Sequence, residues 1–306
     1  MIRNVFNNLK ESVIFKHSFT YTVLNFTEKA LPFLVFPILT RNLSIEDLGL
    51  FVLYLAIIEI LMPILTLNID NAILINFYKL DLEHFKKYFS SGLILFVFFY
   101  LFMFIFIFIF KDIISEFTQF PSIWIVVIGL IVFFRFLVQN RQNLWRLNYE
   151  LKKYSKFTIG ISIVNNLVGL ALVLYSDFGW AGMIVGHLVG YFLFGTFALF
   201  SFFNEKWFTF TTDRLFIKDI LKVSVPIAIH RLGIWLGSTG NKIIISTIIG
   251  TAATGSYGLG AVFASVIVIL EDSLSKAIIP HIYEKLKKIS NDEKRLIVKC
   301  LTISIC

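Results

Sequence analysis

The sequence predicts an all-α fold, a polytopic membrane helix bundle, on three observations: its composition, its long uncharged apolar runs and the distribution of its basic residues. The 306 residues are 57% hydrophobic and only 16% charged, and the mean hydropathy is +0.80. Soluble domains are about 45–50% apolar and about 25% charged, and they need polar groups to cover their surface. The composition therefore excludes a soluble enzyme, a disordered chain and a disulfide scaffold.

The apolar runs are long enough to cross a bilayer. Residues 93–110, LILFVFFYLFMFIFIFIF, are 18 positions without a charge, and a helix needs roughly 20 apolar residues to cross about 30 Å of hydrocarbon. The spans are expected to be helical because lipid cannot satisfy the open edge of a sheet. The predicted spans, about eight in number, are 17–40, 47–68, 89–110, 122–140, 157–176, 179–203, 219–249 and 254–275.

The basic residues follow the rule that cytoplasmic loops are rich in Lys and Arg. With the N-terminus placed in the cytoplasm, the segments on that side hold 22 of the 28 Lys and Arg, whereas the outside loops hold only Arg41 and Lys111. This asymmetry explains the net charge of +8 without any nucleic-acid partner. It therefore predicts a multi-pass protein with a cytoplasmic N-terminus.

Sequence signatures of catalysis are lacking. The two cysteines, Cys300 and Cys306, give neither a disulfide framework nor a metal cluster, and the five histidines are scattered. The longest outside link, 111–121, has 11 residues, which is too short to carry a folded catalytic domain. The sequence therefore favours transport over catalysis and predicts neither a cofactor nor a metal.

Two parts of the chain share a weak internal pattern. Each has a proline in the first half of a span, Pro32 and Pro226, followed by a small polar break and a Gly-x-aromatic start to the next span, at 49–51 and 255–257. The pattern fits six helices followed by a second unit that starts from the same side. That arrangement gives parallel repeats about an axis normal to the membrane.

The repeat sets the expected domain organisation. We expect a six-helix N-terminal lobe over 1–210, and the start of a second lobe, with helices seven and eight and an incomplete ninth, over 211–306. Within the first lobe, Gly182, Gly186 and Gly190 lie four residues apart on one face of span six, where a neighbouring helix can approach closely. This face is predicted to be a packing surface.

Two segments carry a resemblance to a known family. They are PFLVFPILTRNLSIEDLGLFVL, within 24–53, and VPIAIHRLGIWLGSTGNKIIISTIIGTAATGSYGLG, at 225–260. Their loose pattern of proline, Thr-Arg, an acidic residue and Gly-x-aromatic resembles the Wzx-type O-antigen and capsule flippases of the multidrug/oligosaccharidyl-lipid/polysaccharide (MATE-like) superfamily. Such proteins usually have twelve or more helices in two lobes of six. The resemblance thus implies that this chain, which ends in LIVKCLTISIC, is truncated within its ninth helix.

The resemblance also implies a transport cycle in the bacterial inner membrane. A lipid-linked oligosaccharide, an O-antigen or capsule repeat unit on undecaprenyl pyrophosphate, enters a central cavity from the cytoplasmic leaflet, and the glycan emerges outside after the lobes rock. The implied partners are this substrate, membrane lipids and other polysaccharide-assembly membrane proteins. Because such a cavity binds a dianionic pyrophosphate and sugar hydroxyls, cations, amides and aromatic groups are expected to line it.

Ionisable residues at membrane depth are costly, so they are candidates for function. Arg231 lies 12 residues into span seven, about 18 Å at 1.5 Å per residue, and Lys29 lies about as deep in span one. Both are candidate pyrophosphate or sugar-acid contacts, since Arg can hold phosphate through a bidentate fork. His230, Asn165 and Asn166 are further candidates for lining the cavity.

Two deep carboxylates, Glu28 and Glu59, are candidates for ion coupling or for neutralising a nearby cation. An alternative interpretation is that they pair with Lys29 and Arg231 and hold the lobes together. Arg135 is expected to extend to the cytoplasmic interface.

The other polar candidates also have a structural interpretation. His187 and His230 are expected to form hydrogen bonds inside the bundle, and Asn165 and Asn166 to join helices. Lys242 is either a deep cation or an anchor at the outer surface.

Three other functions stay open at the level of sequence. The first is a MATE-like, ion-coupled antiporter of small molecules or drugs, which needs an acidic cavity, whereas the deep charges here are mixed. The second is a membrane enzyme, such as a polysaccharide polymerase or ligase, which needs an outside domain. The third is an inactive, truncated flippase.

Overall fold

The structure, a computed structural model, describes residues 34–209, 212–264 and 267. The chain divides into two compact units, Met1–Ala261 and Val262–Cys306, and every contact and site given below lies in the first. The regular secondary structure of the described residues is helical throughout. The helices are α1 (34–42), α2 (Ile45–Thr66), α3 (Ile69–Asn76), α4 (Leu82–Thr118), α5 (Ser122–Leu147), α6 (Leu151–Tyr175), α7 (Ala181–Asn204), α8 (Arg214–Ser238), α9 (Asn241–Ile248) and α10 (251–264).

Six of the described helices, α2 and α4 to α8, are long and apolar enough to cross a membrane. The predicted polytopic helical bundle is therefore confirmed. Predicted spans two to six each coincide with one of these helices. Spans one (17–40) and eight (254–275) lie partly outside the described residues. The predicted lobes, 1–210 and 211–306, remain a prediction.

The fourth helix, α4, is the longest, at 37 residues, or about 55 Å at 1.5 Å per residue. Its apolar run is strongly exposed at Phe98, Phe102 and Ile109. In a bilayer these side chains contact lipid, which explains why an uncharged run of this length is not buried inside the bundle.

The second predicted span ends at a break that hydropathy does not show. Leu67 and Asn68 both adopt the left-handed conformation, with φ of 50° and 51°, which bulky L-residues seldom adopt. The amide of Leu67 donates to the carbonyl of Pro63 at 3.1 Å and closes α2. The chain then starts a second, short helix, α3, in a new direction.

The prediction of one helix over 219–249 was wrong. Helix α8 ends at Ser238 and α9 starts at Asn241, because the amides of Thr239 and Gly240 both donate to the carbonyl of Trp235 at 2.8 and 2.9 Å and so end the regular helical ladder. Trp235 is itself fixed, since its indole N–H donates to the carbonyl of Ala56 on α2 at 2.9 Å.

The predicted glycine packing surface is confirmed, and its partner is α6. A Cβ added at Gly186 would overlap the backbone of Gly169, and one added at Gly190 would overlap the side-chain oxygen of Asn165. Only glycine permits this approach, so α6 and α7 pack closely along this face.

The two segments of the internal pattern cross each other. A Cβ on Gly49 of α2 would overlap the carbonyl of Thr251, and a Cβ on Gly255 of α10 would overlap the carbonyl of Ile45. Gly49 lies four residues after Ile45, and Gly255 lies four residues after Thr251, so the two helices make the same contact with each other. Equivalent positions of the repeat thus pack against each other.

Candidate functional site

A polar cavity of about 380 Å³ lies between α3, α5, α6, α7 and α8. Its walls are predominantly polar, whereas three other cavities or grooves among the described residues have apolar walls. Its lining residues are Asp70, Asn71, Leu74, Arg135, Val138, Gln139, Gln142, Asn143, Arg146, Tyr154, Thr158, Ile161, Tyr191 and Arg231. A cavity of this size is within the range of small-molecule sites.

The cavity is cationic. Arg135 and Arg146 come from α5 and Arg231 comes from α8, and Asp70 is the one carboxylate among the lining residues. Arg135 and Arg146 are three helical turns apart, about 16 Å along the axis at 1.5 Å per residue, so the positive charge extends over the length of the cavity. An anionic ligand is therefore favoured over a cation.

Neutral hydrogen-bonding groups stand between the arginines. The polar stripe of α5 is Arg135, Gln139, Gln142 and Arg146, spaced by four, three and four residues, which places all four on one helix face. Gln142 donates to the hydroxyl of Thr158 on α6 at 2.9 Å. This spacing was a signal that sequence analysis missed, since each residue there was considered separately.

Asp70 was also missed, because predicted span two ended at residue 68. The break at Leu67 and Asn68 carries the carboxyl group into the bundle, where Asp70 is 3% exposed. One carboxylate oxygen accepts from the side chain of Asn71 at 3.4 Å, and the carboxyl interacts electrostatically with Arg231. Asp70 and Arg231 thus line the same cavity with opposite charges.

Of the seven predicted site residues, Arg231 lines the cavity. The neighbouring His230 is exposed and is not among the lining residues. Lys29 and Glu28 lie outside the described residues.

The structure does not bring the other three candidates to the cavity. Asn165 and Asn166 are each 6% exposed; the first meets Gly190 of α7, and the second donates to the carbonyl of Ser162 at 2.8 Å. Glu59 is exposed on α2 and interacts electrostatically with Lys242 of α9. The contact with Gly190 favours the interpretation that Asn165 joins helices. By contrast, the hydrogen bond of Asn166 lies within α6, and the interaction of Glu59 with Lys242 was not predicted.

Arg135 lines the cavity and interacts electrostatically with Tyr54 and His187. The expectation that it extends to the cytoplasmic interface stays a prediction. His187 shares a hydrogen bond of 2.5 Å with the hydroxyl of Tyr54, which confirms that this histidine bonds inside the bundle.

A second cationic cluster lies outside the cavity, near the C-terminal ends of α5 and α7. Arg141 is 1% exposed, pairs with Glu205 and stacks on Trp145 with its guanidinium carbon 4.2 Å from the ring centre. Burial raises the pKa of Glu205, but hydrogen bonds from Arg141 and Trp207 outweigh burial and hold the pKa below its usual value. The cluster fastens α5 to α7.

These features define a class: a multi-pass α-helical membrane protein that encloses a polar, cationic cavity. The family described as polysaccharide biosynthesis protein matches residues 14–285, so the chain belongs to this family, the family of the Wzx-type flippases that the two segments resemble. The family is of transporter type.

Two further similarities agree with this assignment. Protein 1 of the Lsg locus of Haemophilus influenzae is 24% identical over 293 residues, which cover 94% of this chain and 69% of that protein. A solved structure described as "protein A" has a TM-score of 0.66 and 14% identity, and the match covers 87% of this chain. The chain spans 64% of the length of that structure, and this likeness shows the fold.

Proposed function

We propose that the protein moves a lipid-linked oligosaccharide, an O-antigen or capsule repeat unit on undecaprenyl pyrophosphate, across the bacterial inner membrane by alternating access between two lobes. The observation that carries this proposal is the cationic, amide-lined cavity. The membership of a polysaccharide biosynthesis family supports the choice of a glycan over other anions.

The chemistry of the cavity suits both parts of such a substrate. Guanidinium groups bind phosphate oxygens through paired hydrogen bonds, and Arg135, Arg146 and Arg231 supply three of them. Gln139 and Asn143 offer amides, which can donate to and accept from sugar hydroxyls. The cavity is less suited to binding an organic cation, because Asp70 is the one carboxylate among its lining residues.

The arginines come from both sides of the predicted lobe boundary. Arg135 belongs to the first lobe, over 1–210, and Arg231 to the second, over 211–306. A ligand bound to both would therefore respond to a change in the angle between the lobes. Asp70 lines the same cavity as Arg231 with the opposite charge, so it would compete with the pyrophosphate for that guanidinium group.

The predicted topology gives the direction of loading. It places the polar stripe of α5 in the cytoplasmic half of the membrane, and it places the crossing of Gly49 and Gly255 in the outer half. A bundle that is closed at the outer crossing and polar on the inner side suits entry from the cytoplasmic leaflet. Release would then require α2 and α10 to separate at the two glycines.

The test replaces Arg231 in a strain that lacks its own flippase, with the whole gene product expressed. We expect Arg231→Ala to lower surface glycan about ten- to a hundredfold, since a hydrogen bond to a charged group contributes about 1.5–3 kcal/mol. Arg231→Lys should retain part of the export. The exposed Arg214→Ala is the matched control, and membrane insertion should be equal in all variants.

Two outcomes would contradict the proposal in different ways. Normal export by Arg231→Ala would remove this residue from the substrate site. Proteoliposomes that take up an organic cation, while a labelled lipid-linked oligosaccharide stays in its leaflet, would instead support the antiporter.

A further inference from the structure

A second site lies on the outside of the first lobe, where the cytoplasmic ends of α5, α6 and α7 meet. It is a groove of about 550 Å³ with predominantly apolar walls, and it shares no lining residue with the polar cavity. We propose that this lysine groove binds an anionic phospholipid, with an acyl chain on its apolar floor and the headgroup phosphate at its lysines. Its lining residues are Trp145, Lys153, Lys156, Phe157, Leu193, Phe194, Phe197 and Glu205.

The floor of the lysine groove is a rigid aromatic surface. Phe157 packs edge-on against Trp145 and Phe194, with ring centres 4.9 and 5.1 Å apart. Leu193 and Phe197 form its open side and are 51% and 54% exposed. Apolar side chains this exposed on a membrane-spanning helix contact lipid chains, so an acyl chain is the natural occupant of the floor.

The rim of the lysine groove is basic. Lys153 and Lys156 are three residues apart, on the same face of α6, and both are exposed. Lys153 also contacts Glu150 at 2.6 Å, but both side chains are substantially exposed, and such pairs contribute little. The two ammonium groups therefore remain available to an anion.

The single carboxylate of the lysine groove is already engaged. Glu205 pairs with Arg141 and accepts hydrogen bonds from Trp207 at 3.0 Å and Ser201 at 3.3 Å. Its charge is thus matched by a buried guanidinium. Lys156, and Lys153 with its solvent-exposed partner Glu150, are left as the cations that an anion can reach at the rim.

An unpaired donor at the floor also points to a ligand rich in acceptors. Trp145 is 5% exposed, and its indole N–H has no hydrogen-bond acceptor among the described residues. Buried donors are nearly always paired, and an unpaired one needs an explanation. An ester carbonyl or phosphate oxygen of a phospholipid would supply the acceptor.

The predicted topology puts the rim at the cytoplasmic interface. Basic pockets between helices on this side of a membrane bind anionic headgroups. A neighbouring groove of about 300 Å³, lined by Phe96, Phe133 and Phe202 among others, has no charged lining residue. That groove can hold lipid chains without selecting a headgroup, and it provides an internal comparison.

The experiment measures lipid retention by the purified full chain in detergent, using native mass spectrometry with added phosphatidylglycerol or phosphatidylcholine. We expect the wild type to retain phosphatidylglycerol preferentially, and each lysine to contribute about fivefold. The double variant Lys153→Gln/Lys156→Gln should lose the preference. The matched control is Lys152→Gln, which removes a charge from the same helix turn at a residue outside the groove lining.

Three outcomes would overturn the proposal. They are equal retention of the two lipids by the wild type, the same loss of preference in Lys152→Gln, and displacement of phosphatidylglycerol by millimolar inorganic phosphate, which would indicate a free-anion site. The measurement involves no transport, so the inference is independent of the proposed function and can fail or succeed without it.

Discussion

Arg141 and Arg231 show two ways in which a membrane protein holds a guanidinium group. Arg141 is 1% exposed, pairs with Glu205 and stacks on Trp145, so its charge is compensated by packing. Arg231 is exposed and lines the polar cavity opposite Asp70. Both lie on long apolar helices, yet the first is built into the scaffold and the second faces a space that a ligand can enter.

The difference teaches that the surroundings of a deep charge, and not its depth, indicate its role. A buried charge whose partner is removed is strongly destabilising, so Arg141 is expected to act on folding. A charge that faces a polar cavity is already solvated and can be removed at little cost to folding. Replacing arginines one at a time therefore separates scaffold from site.

The largest expected effect on stability is that of Arg141→Ala, which leaves Glu205 without its buried partner. Truncating a large, fully buried side chain costs about 2–5 kcal/mol, and at about 2–4 °C per kcal/mol for a chain of this size the melting temperature in detergent should fall by roughly 4 °C or more. The exposed Arg214→Ala should change stability by less than about 0.5 kcal/mol. Equal melting temperatures for Arg141→Ala and Arg214→Ala would contradict the view that Arg141 is part of the scaffold.

Arg135→Gln should have the opposite effect, lowering export but not the melting temperature. Its guanidinium lines the cavity, so we expect export to fall about tenfold, within the 1.5–3 kcal/mol of a charged hydrogen bond, while the melting temperature stays near that of the wild type. Export is measured as surface glycan and melting on the purified protein. If Arg135→Gln exported normally, the residue would be an interface anchor after all.

Hydropathy predicted the helices of this fold well, because crossing a bilayer requires a fixed length of apolar chain. The spans at 89–110 and 122–140 lie within α4 and α5, and the glycine face of span six packs as expected. The break at Gly240 and the separate helix α3 after Leu67 were not predictable, because they depend on backbone hydrogen bonds to single carbonyls. Such bonds leave no mark on the average hydrophobicity of a segment.

The candidate site was predicted only in part. Arg231 was found by its depth, but depth does not give the rotation of a helix about its axis. The buried Asn165 and the cavity-lining Gln139 are both amides at membrane depth, and only the contacts distinguish them. Asp70 was missed because its position depends on the break before α3.

The smallest expected effect tests the partner of Arg141. The pKa of Glu205 lies below its usual value in the folded protein. Its ionised form therefore stabilises the fold at pH values above the pKa of an unfolded glutamate, about 4.3. This contribution is lost as the pH falls through the lowered pKa of the folded protein. Glu205→Gln should therefore melt below the wild type at pH 7, and the gap should begin to close only as the pH falls below about 4.3 and should disappear below the lowered folded value. The effect should be smaller than that of Arg141→Ala, because the amide oxygen of Gln can still accept a hydrogen bond from Arg141 and because water screens part of the charge of the Glu205 side chain, which is 43% exposed. A gap that stayed constant down to pH values at which Glu205 of the wild type is protonated would show that Glu205 acts through shape, and that Arg141 is held mainly by Trp145.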